Sequence, residues 1–134
     1  MITFLRKYIL SILCITAICI LCFMNTASLP AAPMSNFDKL VHIIMFLGLS
    51  GVIFFEDTSY LRFPRSRKRI FLVTFLFPTL FGGLVEIIQE YLTTTRSGDW
   101  FDFLSDCIGT IIGIGIALLI NRHLLRKKST SPAQ

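Results

Sequence analysis

Two short stretches hold most of the residues in this chain that could do chemistry. FDKLVH, from Phe37 to His42, carries an acid, a base and an imidazole. VEIIQEYLTTTRSGDWFDFLSD, from Val85 to Asp106, carries five acids and one arginine. Asp38 and His42 are four residues apart, as are Glu86 and Glu90, and Asp102 and Asp106. On a helix each such pair shares one face, with Gln89 beside Glu86 and Asp99 extending the line of Asp102. Carboxylates grouped with an imidazole and the bases Lys39 and Arg96 could grip a charged ligand through charge-assisted hydrogen bonds. The acids could equally meet an ammonium group, or work with His42 in acid–base chemistry.

The chemistry that is missing narrows the choice. The chain has no HExxH helix, no nucleophile elbow and no phosphatase-like signature with histidines in separate motifs. Its second histidine, His123, falls in the basic C-terminal stretch, so a zinc centre of the His-rich or Cys-rich kind is not expected, nor any cofactor. Cys14, Cys19 and Cys22 lie in one apolar run and Cys107 opens another. The CxxC of Cys19 and Cys22 has no second pair, so the cysteines read as small apolar helix residues.

The elements that must position these side chains are membrane helices. The chain has 134 residues, 54% hydrophobic and 16% charged, with a mean hydropathy of +0.71. Soluble domains carry about 25% charged residues. Four apolar runs predict helices over about 8–24, 38–55, 70–92 and 102–121, since crossing a bilayer core takes about 20 helical residues. Strands with open edges cannot sit in lipid, and no alternating barrel pattern is present. The expected fold is therefore all-α, a single domain forming a four-transmembrane-helix bundle, with 122–134 as a disordered basic tail. Ser35 or Asn36 is the candidate N-cap of the second helix.

The net charge of +5 does not imply nucleic acid as a partner, because the bases flank the apolar runs and act as topology determinants. Arg6, Lys7, Arg62, Arg65, Arg67, Lys68, Arg69, Arg122, Arg126, Lys127 and Lys128 fall on one side, eleven of the thirteen Lys and Arg. Only Lys39 and Arg96 lie opposite, which predicts both termini in the cytoplasm. The first run, with Arg6, Lys7 and the small residues Thr26, Ala27 and Ser28, also resembles a cleavable signal peptide. Its long apolar core and weak cleavage site favour a retained helix.

With that orientation Asp38, Glu86, Glu90, Asp99, Asp102 and Asp106 all face outward, and only Glu56 and Asp57 face inward. At about 1.5 Å per residue, His42, Glu86 and Asp106 rise about 20, 24 and 22 Å from the inner ends of their helices. Ionisable groups on three helices are thus expected at one level. Each costs roughly 2.5–3.5 kcal/mol at mid-membrane, which falls if they share hydrogen bonds. Gly109 and Gly113 form a GxxxG that favours close helix packing, and Pro78 is expected to kink or loosen the first half of the third helix.

These residues carry a family resemblance. FDKLVHIIMFLGLS, from Phe37 to Ser50, and VEIIQEYLTTTRSGDWFDFLSDCIGTIIG, from Val85 to Gly113, resemble the two motifs of the VanZ-like family of small bacterial integral membrane proteins. The positions carried over are Asp38, Lys39, His42, Glu86, Gln89, Arg96, Asp99, Asp102, Asp106 and Gly109. The resemblance implies a small helical protein of the bacterial cytoplasmic membrane, in a family named for a member linked to resistance against the glycopeptide teicoplanin. It supplies no reaction. The expectation is an outward-facing polar site that binds an envelope lipid, a peptidoglycan precursor or a glycopeptide, with the bilayer as the surrounding partner. The alternative is an intramembrane enzyme acting on a lipid-linked envelope substrate.

Overall fold

The computed structural model describes residues 2–24, 36–59, 66–93 and 98–130. Its elements are α1 (Ile2–Lys7), α2 (Ile9–Phe23), α3 (Phe37–Ser59), α4 (Arg67–Phe71), a π-helical segment (Leu72–Leu76), α5 (Phe77–Leu92) and α6 (Trp100–Thr130). Among the described residues, three stretches are long and apolar enough to cross a membrane: Phe37–Thr58, Arg67–Leu92 and Trp100–Arg126. The shortest, 22 residues, is about 33 Å long, enough for the hydrocarbon core of a bilayer. The first apolar run gives a shorter helix, Ile9–Phe23, about 22 Å long.

The outside of the bundle is hydrocarbon. Leu80 is 63% exposed, and Ile87 and Ile111 are each 58% exposed, a surface that a soluble monomer would hide. Tyr91 and Trp100 project at the end where α5 stops and α6 starts, as interfacial aromatics do. The protein is a multi-pass membrane protein.

The core forms where α3 meets its neighbours. Phe46, Leu49 and Ile53 of α3 pack with Ile18 and Cys22 of α2 and Val85 of α5. The longest interface joins α3 to α6, and small residues make it close. A Cβ added at Gly109 or Gly113 would run into the main-chain carbonyl of Ile43 or Leu47 respectively. Ala117, four residues further on, is also buried. The GxxxG thus serves contact within the bundle.

Two features depart from simple apolar spans. Upstream of Pro78, the Phe77 N–H reaches back to the Leu72 carbonyl, as π-helical bonding requires. Pro78 has no N–H to offer Thr74 four residues before it, so the π segment takes up the irregularity in the first half of this span. At its far end, α6 runs past 121 to Thr130. The stretch expected as a disordered tail is helical as far as 130, because Leu124, Leu125 and the flanking Arg and Lys are good helix formers. Residues 131–134 lie outside the described residues.

Candidate functional site

The candidate site is built where α3 begins, α5 ends and α6 begins. α3 starts at Phe37, the Leu40 N–H reaching the Asn36 carbonyl at 3.3 Å, while Ser35 lies outside the described residues. Asp99 starts α6. Its carboxylate accepts the Phe101 N–H at 2.9 Å, and its carbonyl accepts the Asp102 N–H at 2.9 Å. That is an N-cap satisfying donors the helix leaves open, and its negative charge suits the positive end of the helix dipole.

The glutamates of α5 hold the incoming chain. Oε2 of Glu86 accepts the Asp99 N–H at 2.9 Å, and Oε2 of Glu90, one turn on, accepts the Gly98 N–H at 3.0 Å. Gly98 has no room for a side chain: a Cβ there would sit 2.6 Å from the Glu86 carbonyl oxygen and 3.1 Å from the Glu90 Cβ. The hairpin end between α5 and α6 is therefore fixed by two acids and one glycine.

Lys39 projects from the first turn of α3 between two acids of α6. Its Nζ lies 2.8 Å from Asp99 Oδ2 and 3.0 Å from Asp102 Oδ1. The ammonium donates to both, and it holds the Asp99 carboxyl below the usual carboxylate range. Of the two bases expected to grip a ligand, one is described. Lys39 is engaged by the chain's own carboxylates, and Arg96 lies outside the described residues.

Beneath this rim the chain is buried. His42 is 1% exposed and Asp106 is fully buried. His42 Nδ1 lies 2.9 Å from Asp106 Oδ1 and 3.9 Å from Glu86 Oε1. The three side chains placed at one level by residue counting meet at these distances, one from each of α3, α5 and α6. Two of their oxygens, Glu86 Oε1 and Asp106 Oδ2, are buried with no hydrogen-bond partner. Donor atoms of His42, Glu86 and Asp106 lie within 4.8 Å of one another, as do those of Asp38, His42 and Asp102. The sequence offered a single histidine here and no metal centre was expected. The fold supplies the mixed imidazole and carboxylate donors that such a centre uses.

Gln89 does not join this group. Its Nε2 donates to the Cys22 carbonyl at 2.9 Å and so caps the end of α2. Glu86, Gln89 and Glu90 share a helix face by spacing, yet each meets a different partner.

A second polar cluster, at the opposite end of the bundle, was read in sequence only as inward-facing acids. α2 begins after a break at Tyr8, leaving helix N–H groups to be satisfied. Glu56 of α3 accepts the Leu10 N–H at 2.8 Å, the Ser11 N–H at 3.1 Å, and the Ser11 hydroxyl. Asp57 accepts the Tyr8 hydroxyl at 2.8 Å and lies 3.4 Å from Lys7 Nζ and 3.8 Å from Arg69. Ser11, a hydroxyl within an apolar run, was the available signal.

Sequence comparison gives the chain a family. The sequence model of the VanZ/LLP1 family matches residues 4–121, which takes in every described site residue and all but the last part of α6. A protein of the fission yeast Schizosaccharomyces pombe, called uncharacterized protein C11E3.10, is 31% identical over 124 residues, covering 92% of this chain and 70% of that protein. No solved structure matches the chain. The chain belongs to the VanZ/LLP1 family of proteins.

Proposed function

We propose that the polar end of α3, α5 and α6 binds the amine-bearing headgroup of an envelope lipid. In this reading the site faces outward from a cytoplasmic membrane and both termini are cytoplasmic. The observation that carries it is a charge imbalance. Asp38, Glu86, Asp99, Asp102 and Asp106 lie about Lys39 and His42, the two bases among the described residues here, and both of those are already held by acids. Among the described residues a phosphate would find its bases engaged, whereas an ammonium, with three donors and a positive charge, matches what the rim offers. The concentration of Lys and Arg at the other end supports the orientation. The place of Ile18 and Cys22 in the core supports a retained first helix.

The test uses the full chain in nanodiscs, with ethanolamine and choline headgroups of matched acyl chains competing for it. Choline keeps the positive charge but has no N–H to donate. Selective retention of the ethanolamine lipid, lost in Asp38→Asn/Asp102→Asn, is the expected result. Equal retention of both, or selective capture of teicoplanin with no lipid preference, contradicts the lipid reading. Orientation is checked by labelling single cysteines at Ser66 and the exposed Leu92, in a variant without the four native cysteines, from either side of the membrane.

A second reading is favoured by one contact. An imidazole oriented by a buried carboxylate, as in His42 and Asp106, is the arrangement of a general base. In that case the protein is an intramembrane enzyme acting on a lipid-linked substrate. Release of a headgroup by the wild-type protein, abolished in His42→Gln, decides for it.

A further inference from the structure

Three donors from three helices meet at a depth where water is scarce. The His42 ring, the Glu86 carboxylate and the Asp106 carboxylate offer atoms within 4.8 Å of one another. Two edges of this triangle are 2.9 and 3.9 Å. Ligands about 2.1 Å from one cation are separated by about 3.0 Å at right angles, and by more when the angle opens. The observed edges bracket that geometry without any movement of a helix.

The unpartnered oxygens are the second observation. Glu86 Oε1 and Asp106 Oδ2 have no hydrogen-bond partner, although Glu86 is 8% exposed and Asp106 not at all. Buried acceptors without donors are rare, and in a low-dielectric layer they are costly. With the imidazole neutral and both carboxylates ionised, the forms a metal requires of its ligands, the triad carries two negative charges. A divalent cation balances that charge and supplies the missing partner at once.

The surrounding packing is shaped for the carboxylate as well. Gly82 of α5 faces Asp106, and a Cβ there would lie 2.6 Å from Oδ2. A glycine at this point gives the carboxylate its room.

We infer that His42, Glu86 and Asp106 form a binding site for one divalent metal ion, tying α3, α5 and α6 together. The donor set, one nitrogen with carboxylate oxygens, suits Mn²⁺ or Zn²⁺ better than Ca²⁺. The ion takes the place of the imidazole proton that otherwise bridges His42 and Asp106. This inference stands beside the headgroup reading and does not need it, because the metal is measured with no headgroup ligand added.

The experiment is a Mn²⁺ titration of the purified full chain in detergent, followed by the loss of the free-ion electron paramagnetic resonance signal. Mn²⁺ is the better first probe because the chain has four cysteines that could take Zn²⁺ adventitiously. Saturable binding of one ion per chain is expected, weakened about tenfold or more by His42→Ala, Glu86→Gln or Asp106→Asn, a scale that loss of outer-shell contacts alone can reach. Gly82→Ala keeps every donor and is expected to weaken binding by displacing the Asp106 carboxylate. His123→Ala, at the exposed far end of α6, is expected to bind like the wild type. Should a donor variant fail to fold, Gly82→Ala and the Mn²⁺-induced rise in Tm of the wild type still decide. Absence of saturable binding, or equal binding by wild type, Glu86→Gln and Gly82→Ala, overturns the site.

Discussion

Gly113 of α6 stands against the main-chain carbonyl of Leu47 on α3, so close that any Cβ would overlap it. One turn earlier Gly109 stands in the same relation to Ile43. This contact fixes how far α6 can be from α3, and through it the distance between Asp106 and His42. Gly113→Ala and Gly109→Ala are therefore expected to destabilise the bundle by about 1–3 kcal/mol, the scale of overpacking against atoms that cannot move aside. Gly48, with nothing within 4 Å of an added Cβ, is the matched control. Gly48→Ala is expected to be neutral or to stabilise by up to about 1 kcal/mol through helix propensity. Unfolding in graded detergent mixtures measures all three.

The Gln89 amide ties the far side of α5 to the end of α2 through the Cys22 carbonyl. Gln89→Leu is expected to lose about 0.6 kcal/mol, an ordinary side-chain hydrogen bond inside a membrane protein. Gln89→Glu is expected to lose more, because it places an acceptor against an acceptor. Stability measurements on the two variants rank them; equal stability of Gln89→Glu and the wild type would contradict the contact.

At the opposite end, Glu56 satisfies the start of α2 from across the bundle. Glu56→Leu leaves the Leu10 and Ser11 N–H groups without it and is expected to cost about 1–2 kcal/mol, as loss of a helix cap does. Glu56→Gln keeps an acceptor and is expected to cost less. Amide hydrogen exchange at Leu10 and Ser11 should accelerate in Glu56→Leu and change little in Ser11→Ala.

Three of the four expected spans and the nearness of His42, Glu86 and Asp106 could be read in the sequence, but the partners of individual side chains could not. The length of an apolar run and a rise of about 1.5 Å per residue were enough to bring His42, Glu86 and Asp106 to one depth. Helical spacing put Glu86, Gln89 and Glu90 on one face, but a face is wide and borders two neighbours. Gln89 turns to α2, Glu86 to α3 and the start of α6, and Glu90 to Gly98. The job of Glu56 was hidden because it depends on a helix break at Tyr8, 48 positions away by number. The helical continuation of α6 to Thr130 was missed because charge was taken as the end of the helix, when it marks only the end of the hydrocarbon.

The Lys39 ammonium lowers the affinity of Asp99 for its proton, chiefly through their direct hydrogen bond. A depressed carboxyl contributes stability that is present above its ordinary value of 3.8 and lost as pH falls through the folded-state value. Tm of the wild type should therefore approach that of Lys39→Gln on acidification below the ordinary value, with the two differing above it. In Lys39→Gln the Asp99 carboxyl should titrate at a higher pH, which carbon NMR of labelled Asp99 reads directly.

In the proposed function the carboxylates at the α3, α5 and α6 end receive an ammonium group. Solid-state NMR on the full chain in ethanolamine-headgroup bilayers, with the headgroup labelled in nitrogen and the Asp and Glu carboxyl carbons labelled in the protein, tests this most directly. Short-range coupling between the headgroup nitrogen and site carboxylates is expected, removed in Asp38→Asn/Asp102→Asn. Coupling that is absent in the wild type, or unchanged in the double variant, would contradict it.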